Sequence, residues 1–325
     1  MRNRKRVRRG KRKSSQGFEK SLRFMGVNSA GLKSKMTTFK KVLNDLQPSV
    51  FCIEETKYKE TGKLKFENYV VFESVRGNGV AGGGLALGCL TDLNPAWVRD
   101  GGDAVEAISV DIFLRSMKIR CCAAYGPQEN DAIANKEAFW QYLDEDVSAA
   151  KSGGAGYILH CDGNLWAGKG VIPGDPRPQN RNGQFFQEFL ERNNLTAVNS
   201  LSICEGLITR RRIKDDITEE SVLDCFVVCS LVLPFVTRMV IDEQKKHILT
   251  NYYPARKSGK AVDSDHFTEF MDLNLKFCKA KPERIELFNF KNKEGQEKFR
   301  ISTSHTDEFT KCFTNEMPLL QQVES

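Results

Sequence analysis

From residue 22 onward the chain is cut into short apolar or β-branched runs of strand length. They are "LRFMGVN", "SVFCIEET", "NYVVFESV", "GGLALGCL", "EAISVDIF", "KIRCCAAY", "YILHCDGN", "LTAVNS", "SVLDCFVVC", "TRMVIDE" and "FTEFMDLNL". Helical spacing is much scarcer. Met36, Phe39, Leu43 and Leu46 recur at helical intervals and Pro48 stops the pattern, which predicts a helix over about 33–47. Two more helices are expected over about 135–150 and 183–193. Alternating strands and helices, with strands in excess, predict an α/β domain in which sheets pack together under an outer helical cover.

With 325 residues and 40% apolar content the chain can bury one large core or two smaller ones. No run reaches the roughly 18 apolar residues of a membrane span, and the first residues are too basic for a secretory signal, so a soluble intracellular protein is expected, with no membrane partner. The ten cysteines show no CxxC or zinc-like spacing and read as reduced core residues. Residues 1–15, "MRNRKRVRRGKRKSS", hold nine Lys or Arg and no acid; the remainder carries 40 basic against 42 acidic residues, so the whole net charge of +7 comes from this end. Such a block cannot bury itself and reads as a tether for nucleic acid or a nuclear-import signal. Past residue 278 long periodic runs cease. The expected organisation is a basic tail over 1–20, one domain over 21–277 and an extension or linker over 278–325.

Several of these strands end in polar residues for which an apolar core has no use. Asn28 ends the first, Glu55 the second, Tyr125 another, and Asp162 with Asn164 another; Asp224 lies inside "VLDCFVVC", and "DSDH" opens the last. Strand ends on one rim are where α/β folds assemble sites. These residue types suit metal-assisted phosphodiester hydrolysis. Glu55, with Asn28 or Asp265, offers hard oxygen ligands to a cation such as Mg²⁺. Asp162 can orient or deprotonate a water, Asn164 can donate to a phosphate, Tyr125 offers a hydroxyl, and His266 backed by a carboxylate can stabilise the developing charge. Each alone is equally a turn, cap or surface residue. Asp224 is less easily dismissed, since an unpaired buried carboxylate is costly; His266 is the natural partner.

In order and wording, "VNSAGLKSK", "CIEETK", "AYGPQ", "CDGNLW", "SVLDCFVVC" and "DSDHF" resemble the six successive motifs of the endonuclease/exonuclease/phosphatase superfamily, over about residues 21–277. The resemblance implies a DNase I-like four-layer sandwich of two mostly antiparallel sheets flanked by helices. It also implies metal-site roles for Asn28, Glu55 and Asp265 and a phosphate contact for Tyr125. Asp162 and Asn164 would act on nucleophile and phosphate, Asp224 would orient the imidazole, and His266 would contact the phosphate. "QNRNGQFFQEFLERNNLTAVNS" followed by "EGLITRRR" is similar to the endonuclease domains of non-LTR retrotransposons, and "FNFKNKEGQEKF" resembles the connector before their polymerase. That likeness implies a DNA-nicking endonuclease leaving a 3′-hydroxyl. Mg²⁺ would be its cofactor, with Mn²⁺ able to substitute, and it would have a nuclear location and a reverse-transcriptase region in a longer parent protein. The same chemistry also permits a phosphatase or phosphodiesterase for a lipid or soluble phosphate ester, or a nucleic-acid-binding derivative that has lost catalysis.

Three positions depart from the superfamily pattern: Ala30 stands where repair members often have Asp, Glu54 where Gln is common, and Gly163 where an apolar residue is usual. Glu54 is expected to add negative charge near the metal site, and Gly163 to loosen the turn. In "TRRRIKDD", Arg210, Arg211 and Arg212 are read as DNA-backbone contacts, with a solvated loop as the alternative. "GNGVAGGGLALG" lacks the GK[ST] of a phosphate loop, and its glycines are read as allowing close backbone approach where a strand begins.

Overall fold

The run LRFMGVN forms β1 (Leu22–Asn28) at the middle of a seven-stranded sheet. In this computed structural model the described residues are 21–76, 83–114, 117–251, 262–275, 288–291 and 297–300. The remaining strands of the first sheet are β2 (Val50–Glu54), β3 (Tyr69–Ser74), β4 (Leu85–Leu90), β10 (Cys204–Glu205), β14 (Val236–Ile241) and β17 (Glu269–Leu273), in the order β10-β14-β17-β1-β2-β4-β3. A six-stranded sheet holds β5 (Ala96–Asp100), β6 (Ala107–Phe113), β7 (Lys118–Tyr125), β8 (Ala155–Asp162), β9 (Leu195–Ala197) and β13 (Asp224–Cys229), in the order β5-β6-β7-β8-β13-β9. Most neighbours are antiparallel; β1 with β2, β7 with β8 and β10 with β14 are parallel.

The alternation of side chains along each strand assigns the layers. On β1 and β2, Met25, Val27, Phe51 and Ile53 share an apolar cluster with Phe39, Val42, Leu43 and Leu46 of helix α1 (Met36–Leu46). The intervening Phe24, Val50 and Cys52 face the other sheet and join its buried residues Ile108, Cys121 and Ile158. Helices α2 (Ile133–Ser152) and α3 (Arg181–Arg192) cover the far face of the second sheet, where Trp140 packs 5.9 Å from Phe186 and 5.5 Å from Phe189 between ring centroids. The result is the expected four layers: helix, sheet, sheet, helices. Phe39 is fully buried against Phe51 and Phe66; truncating such an anchor costs about 3–5 kcal/mol.

Helix α1 begins three residues later than its periodicity suggests, because residues 32–35 form a 3-10 turn. It ends where Gln47 turns left-handed, donates its N–H to Leu43 and is followed by Pro48. Asn180 caps α3 by accepting the Gly183 N–H at 2.8 Å. Two elements differ from the sequence reading. β5 was not anticipated, since "AWVRD" is half exposed on an edge. "RRRIK" is not an interstrand loop but strand β11 (Arg210–Lys214), paired in a hairpin with β12 (Ile217–Ser221), and β15 (Thr250–Asn251) pairs antiparallel with β16 (Val262–Asp263).

The chain divides into two compact units, residues 1–277 and 278–325. Within the second, β18 (Phe288–Lys291) and β19 (Glu297–Arg300) pair as an antiparallel hairpin. The basic block of residues 1–15 lies outside the described residues, and no helix among those described is long and apolar enough to cross a membrane.

Candidate active site

Strand register brings the polar strand ends together. The parallel pair β7–β8 aligns Tyr125 with Asp162, and the antiparallel pair β8–β13 aligns Asp162 with Asp224. In the other sheet Asn28 aligns with Glu54, so Glu55 follows at the same end, while Asp265 and His266 lie just before β17.

Asn28, fully buried, ties the two sheets. Its amide nitrogen donates to Glu55 Oε1 at 3.1 Å and to Asp162 Oδ2 at 2.6 Å. Its carbonyl oxygen accepts the Ala30 N–H at 2.8 Å, which fixes the amide's orientation. Asn28 therefore acts on the two carboxylates as a donor in this geometry.

Glu55 sits at φ 49°, outside the usual region for a side-chain-bearing residue. Tyr125 Oη donates to its Oε1 at 2.9 Å, and Lys57 Nζ lies 2.9 Å from its Oε2. Burial pushes the Glu55 carboxyl up, but Lys57, Asn28 and Tyr125 outweigh it and hold it below the usual range, ionised. Burial, with Asp162 and Glu55 nearby, raises the Tyr125 phenol far above its ordinary value, so it remains a donor. Gln128 donates to the same phenolic oxygen at 2.7 Å.

His266 Nδ1 lies 2.9 Å from Asp224 Oδ2, and its Nε2 lies 4.0 Å from Asp162 Oδ2. Burial alone would lower its pKa; Asp224 first, then Asp162 and Asp265, override this and raise it to about 9. Asp162 is pushed the other way from an ordinary carboxylate: burial and the Asp224 charge raise it, with His266 and Asn28 opposing. The Thr209 hydroxyl accepts the N–H groups of Leu223 and Asp224 at 2.8 and 3.1 Å and so fixes where β13 begins.

Asp265 pairs with Arg210 (Nε to Oδ2, 2.9 Å), and His266 and Arg210 hold its carboxyl low against the effect of burial. Asn164, at φ 46°, donates its backbone N–H to Asp162 Oδ1 at 3.1 Å and its side-chain amide to Gly126 O at 2.8 Å. The turn it follows is not loose: Gly163 donates to Leu223 O at 3.0 Å, and a Cβ on Gly163 would meet Leu165 Cδ2 at 2.4 Å. The missing side chain tightens the bend by letting Leu165 fold beneath it.

Of the three arginines, Arg210 reaches Asp265, Arg211 pairs with Glu220 at 2.7 Å, and Arg212 is exposed. Backbone bonds anchor this hairpin beside the site, since Arg211 N–H donates to Asp265 O at 2.8 Å and Phe267 N–H to Thr209 O at 2.8 Å. Sequence reasoning did not single out Lys57, Lys35 or Gln128. Lys57 is two residues from Glu55, and its own positive φ turns it back to the carboxylate; Lys35, buried, donates to Ser29 O at 2.5 Å and interacts electrostatically with Asp265 and Glu55.

Two places can be weighed for a divalent metal. Asp162, Asp224 and His266 bring their ligand atoms within 4.8 Å of one another. There the two carboxylates raise the imidazole pKa to about 9, so a metal binding at this triad would first have to displace a proton from His266. Glu55 and Asp265 offer hard oxygens that are ionised and partly open to solvent, with side chains 18% and 34% exposed. A cavity of about 1080 Å³ lined by Arg23, Lys40, Phe66 and Asp272 contains none of these groups.

No family model matches the chain, and no curated protein matches it. Solved structures do. The endonuclease domain of TRAS1, a telomere-specific non-LTR retrotransposon, superposes with a TM-score of 0.54 at 16% identity, covering 78% of this chain and 99% of that domain. A 3′-5′ exonuclease from Neisseria meningitidis gives 0.58 at 15% identity, covering 78% and 100%, and an AP endonuclease from Leishmania major gives 0.58 at 15%, covering 78% and 88%. Taken with the layer order, these likenesses establish the architecture: this chain has the fold of the endonuclease/exonuclease/phosphatase superfamily, the DNase I-like fold.

Proposed function

We propose that the protein is a divalent-metal-dependent phosphodiesterase that nicks DNA and leaves a 3′-hydroxyl, in the manner of a retrotransposon endonuclease. The observation that carries this reading is the Asn28 amide joining Glu55 to Asp162, with the Asp224–His266 pair closing on the same Asp162 oxygen. An ionised oxygen-ligand site, a carboxylate of raised proton affinity and an imidazolium converge on one rim.

Glu55 and Asp265 would hold the metal, Mg²⁺ by the hardness of their oxygens, with Mn²⁺ able to replace it. When bound it would supply Lewis-acid stabilisation of phosphate charge. Asp162, kept basic by burial, takes the proton of an attacking water while Asn28 and the Asn164 N–H hold its oxygens in place. His266, charged because Asp224 lies behind it, donates toward the phosphate, and Tyr125 remains a neutral donor at its edge. Arg212 and the hairpin it lies on suit a DNA backbone. The likeness to the TRAS1 domain supports a retrotransposon setting, and with it a nuclear location and a reverse-transcriptase region in a longer parent protein. The basic block of residues 1–15 would add affinity for DNA.

Purified full chain incubated with supercoiled plasmid and Mg²⁺ tests the proposal. Native protein should produce open circles whose nicks prime a DNA polymerase directly, and a His266→Ala variant should not. Absence of nicking by the native chain, or equal nicking by the variant, overturns it.

A further inference from the structure

Directly beneath the rim a second set of charged groups lies where the facing sheets are otherwise apolar. Glu54, His160 and Glu269 are 0%, 1% and 0% exposed. His160 Nδ1 is 2.7 Å from Glu54 Oε1, and its Nε2 is 3.5 Å from Glu269 Oε2. The imidazole thus bridges β2 and β17 of one sheet from β8 of the other. Room for its ring exists because residue 26 is glycine: a Cβ there would fall 2.0 Å from His160 Nε2. Phe226 closes the other side, 4.6 Å away between centroids. The extra charge of Glu54 therefore points into the interior, away from Glu55 and any metal.

Stability does not account for this arrangement. Glu54 Oε2 and Glu269 Oε1 lack a hydrogen-bond partner, and the His160 Nε2 contact with Glu269 Oε2 is long at 3.5 Å. Replacing buried ion clusters by apolar groups is often neutral or stabilising. Such expense is expected where function fixes the geometry. Each strand that touches this cluster contains or adjoins a site residue at the rim: β1 has Gly26 and then Asn28, β2 ends at Glu54 with Glu55 next, β8 has His160 and then Asp162, and β17 begins at Glu269, three residues after His266. Phe226 stands two residues past Asp224, and the Glu54 carbonyl accepts the Ser29 N–H at 2.9 Å, next to Asn28.

We propose that Glu54, His160 and Glu269 form a buried ionic strut that sets the separation of the two sheets under the site. His160 and Glu269 then act as positioning residues for Asn28, Glu55 and Asp162. Its consequence for catalysis rests on the phosphodiesterase reading; its consequence for local order does not.

The test uses the full chain, Glu269→Gln, which keeps shape and deletes charge, and a triple variant Glu54→Leu/His160→Leu/Glu269→Leu. In hydrogen exchange, peptides spanning 26–31, 53–57 and 160–165 should exchange at least about tenfold faster in both variants, while β5 and β6 keep native rates. In plasmid nicking, Glu269→Gln should lose about tenfold or more in kcat with KM for DNA within about twofold, at a Tm no lower than native. Unchanged exchange at the three peptides overturns the strut whatever the enzyme does. A global rise in exchange with a fallen Tm in Glu269→Gln also overturns it, showing an ordinary stability element. Failure of the native chain to nick, with local exchange still raised in the variants, refutes the function and leaves the strut standing.

Discussion

His266 Nε2 stands 4.0 Å from Asp162 Oδ2, the oxygen that also accepts the Asn28 amide at 2.6 Å. One hydrogen-bond donor and one facing imidazole thus address a single carboxylate of the six-stranded sheet. On the proposed function, losing that carboxylate affects chemistry more than folding. Asp162→Asn should reduce nicking by about 10²–10⁴-fold, because the amide cannot take a proton. Its Tm should equal or exceed that of the native chain, since one of two facing buried carboxylates is lost. Calorimetry beside a nicking assay measures both; a large fall in Tm with retained rate contradicts the assignment.

The same pair makes stability depend on pH. His266 has a folded pKa of about 9 against an ordinary 6.5. A raised folded pKa means a contribution fully present below pH 6.5 and lost as pH rises through about 9. Its full size is roughly 3 kcal/mol at a shift of this order. Asp162, also raised, acts in the same sense over its own lower range. Denaturant unfolding between pH 6 and 10 should therefore show stability falling toward the alkaline side. In Asp224→Asn the His266 part of that slope should flatten, because the carboxylate that holds the proton is gone.

Asn28 offers a geometric test. Asn28→Asp would place a third carboxylate against Glu55 and Asp162 in a fully buried position. Repulsion and lost donation should destabilise the chain by several kcal/mol and abolish nicking. Asn28→Ser, small and still polar, should cost less stability, on the order of 1–2 kcal/mol, yet lose most of the rate by freeing both carboxylates. Chemical denaturation with parallel nicking separates the two variants.

These positions show how much of the site the sequence could disclose. Polar residues ending apolar runs identified Asn28, Glu55, Tyr125 and Asp162 because strand period and burial are written locally. The Asp224–His266 pairing was legible because a carboxylate inside "VLDCFVVC" demands a partner. Lys57 was missed because its approach to Glu55 depends on positive φ angles at both residues, which no apolar pattern encodes. The Glu54–His160–Glu269 cluster was missed for another reason: its members are 106 and 109 residues apart in sequence, and only the facing of two sheets brings them together. Strand β5 and the β11–β12 hairpin escaped because both are largely exposed and rich in charge, so neither shows the apolar signature of a buried strand.

On the proposed function, metal dependence would follow from Glu55. Its carboxylate is ionised and already faces donors and Lys57, so a dication must compete with that lysine. Glu55→Gln should raise the half-saturating Mg²⁺ concentration for nicking by about tenfold or more. Asp265→Asn should act in the same direction but more weakly, because its loss also releases Arg210 toward the phosphate. Chelation should abolish nicking and Mn²⁺ should restore it. A metal titration that is identical in Glu55→Gln and native protein would move the site elsewhere.

The arginines of the β11–β12 hairpin differ in whether the protein already pairs them. Arg210 and Arg211 are ion-paired at 2.9 and 2.7 Å to Asp265 and Glu220, whereas Arg212 is exposed on the strand between them and the tip, where Ile213 and Ile217 are 71% and 65% exposed. A charge already neutralised within the protein releases few DNA counterions; an exposed one releases about its own share. Arg212→Ala should therefore weaken DNA binding about equally across sequences and reduce the slope of log K against log salt by about 1. Arg210→Ala should leave that slope nearly unchanged and lower kcat instead, by freeing Asp265. Fluorescence anisotropy with an unlabelled chain and a labelled duplex, repeated over a salt series, reads both. Equal slopes for Arg212→Ala and native protein would place the DNA on another face of the domain.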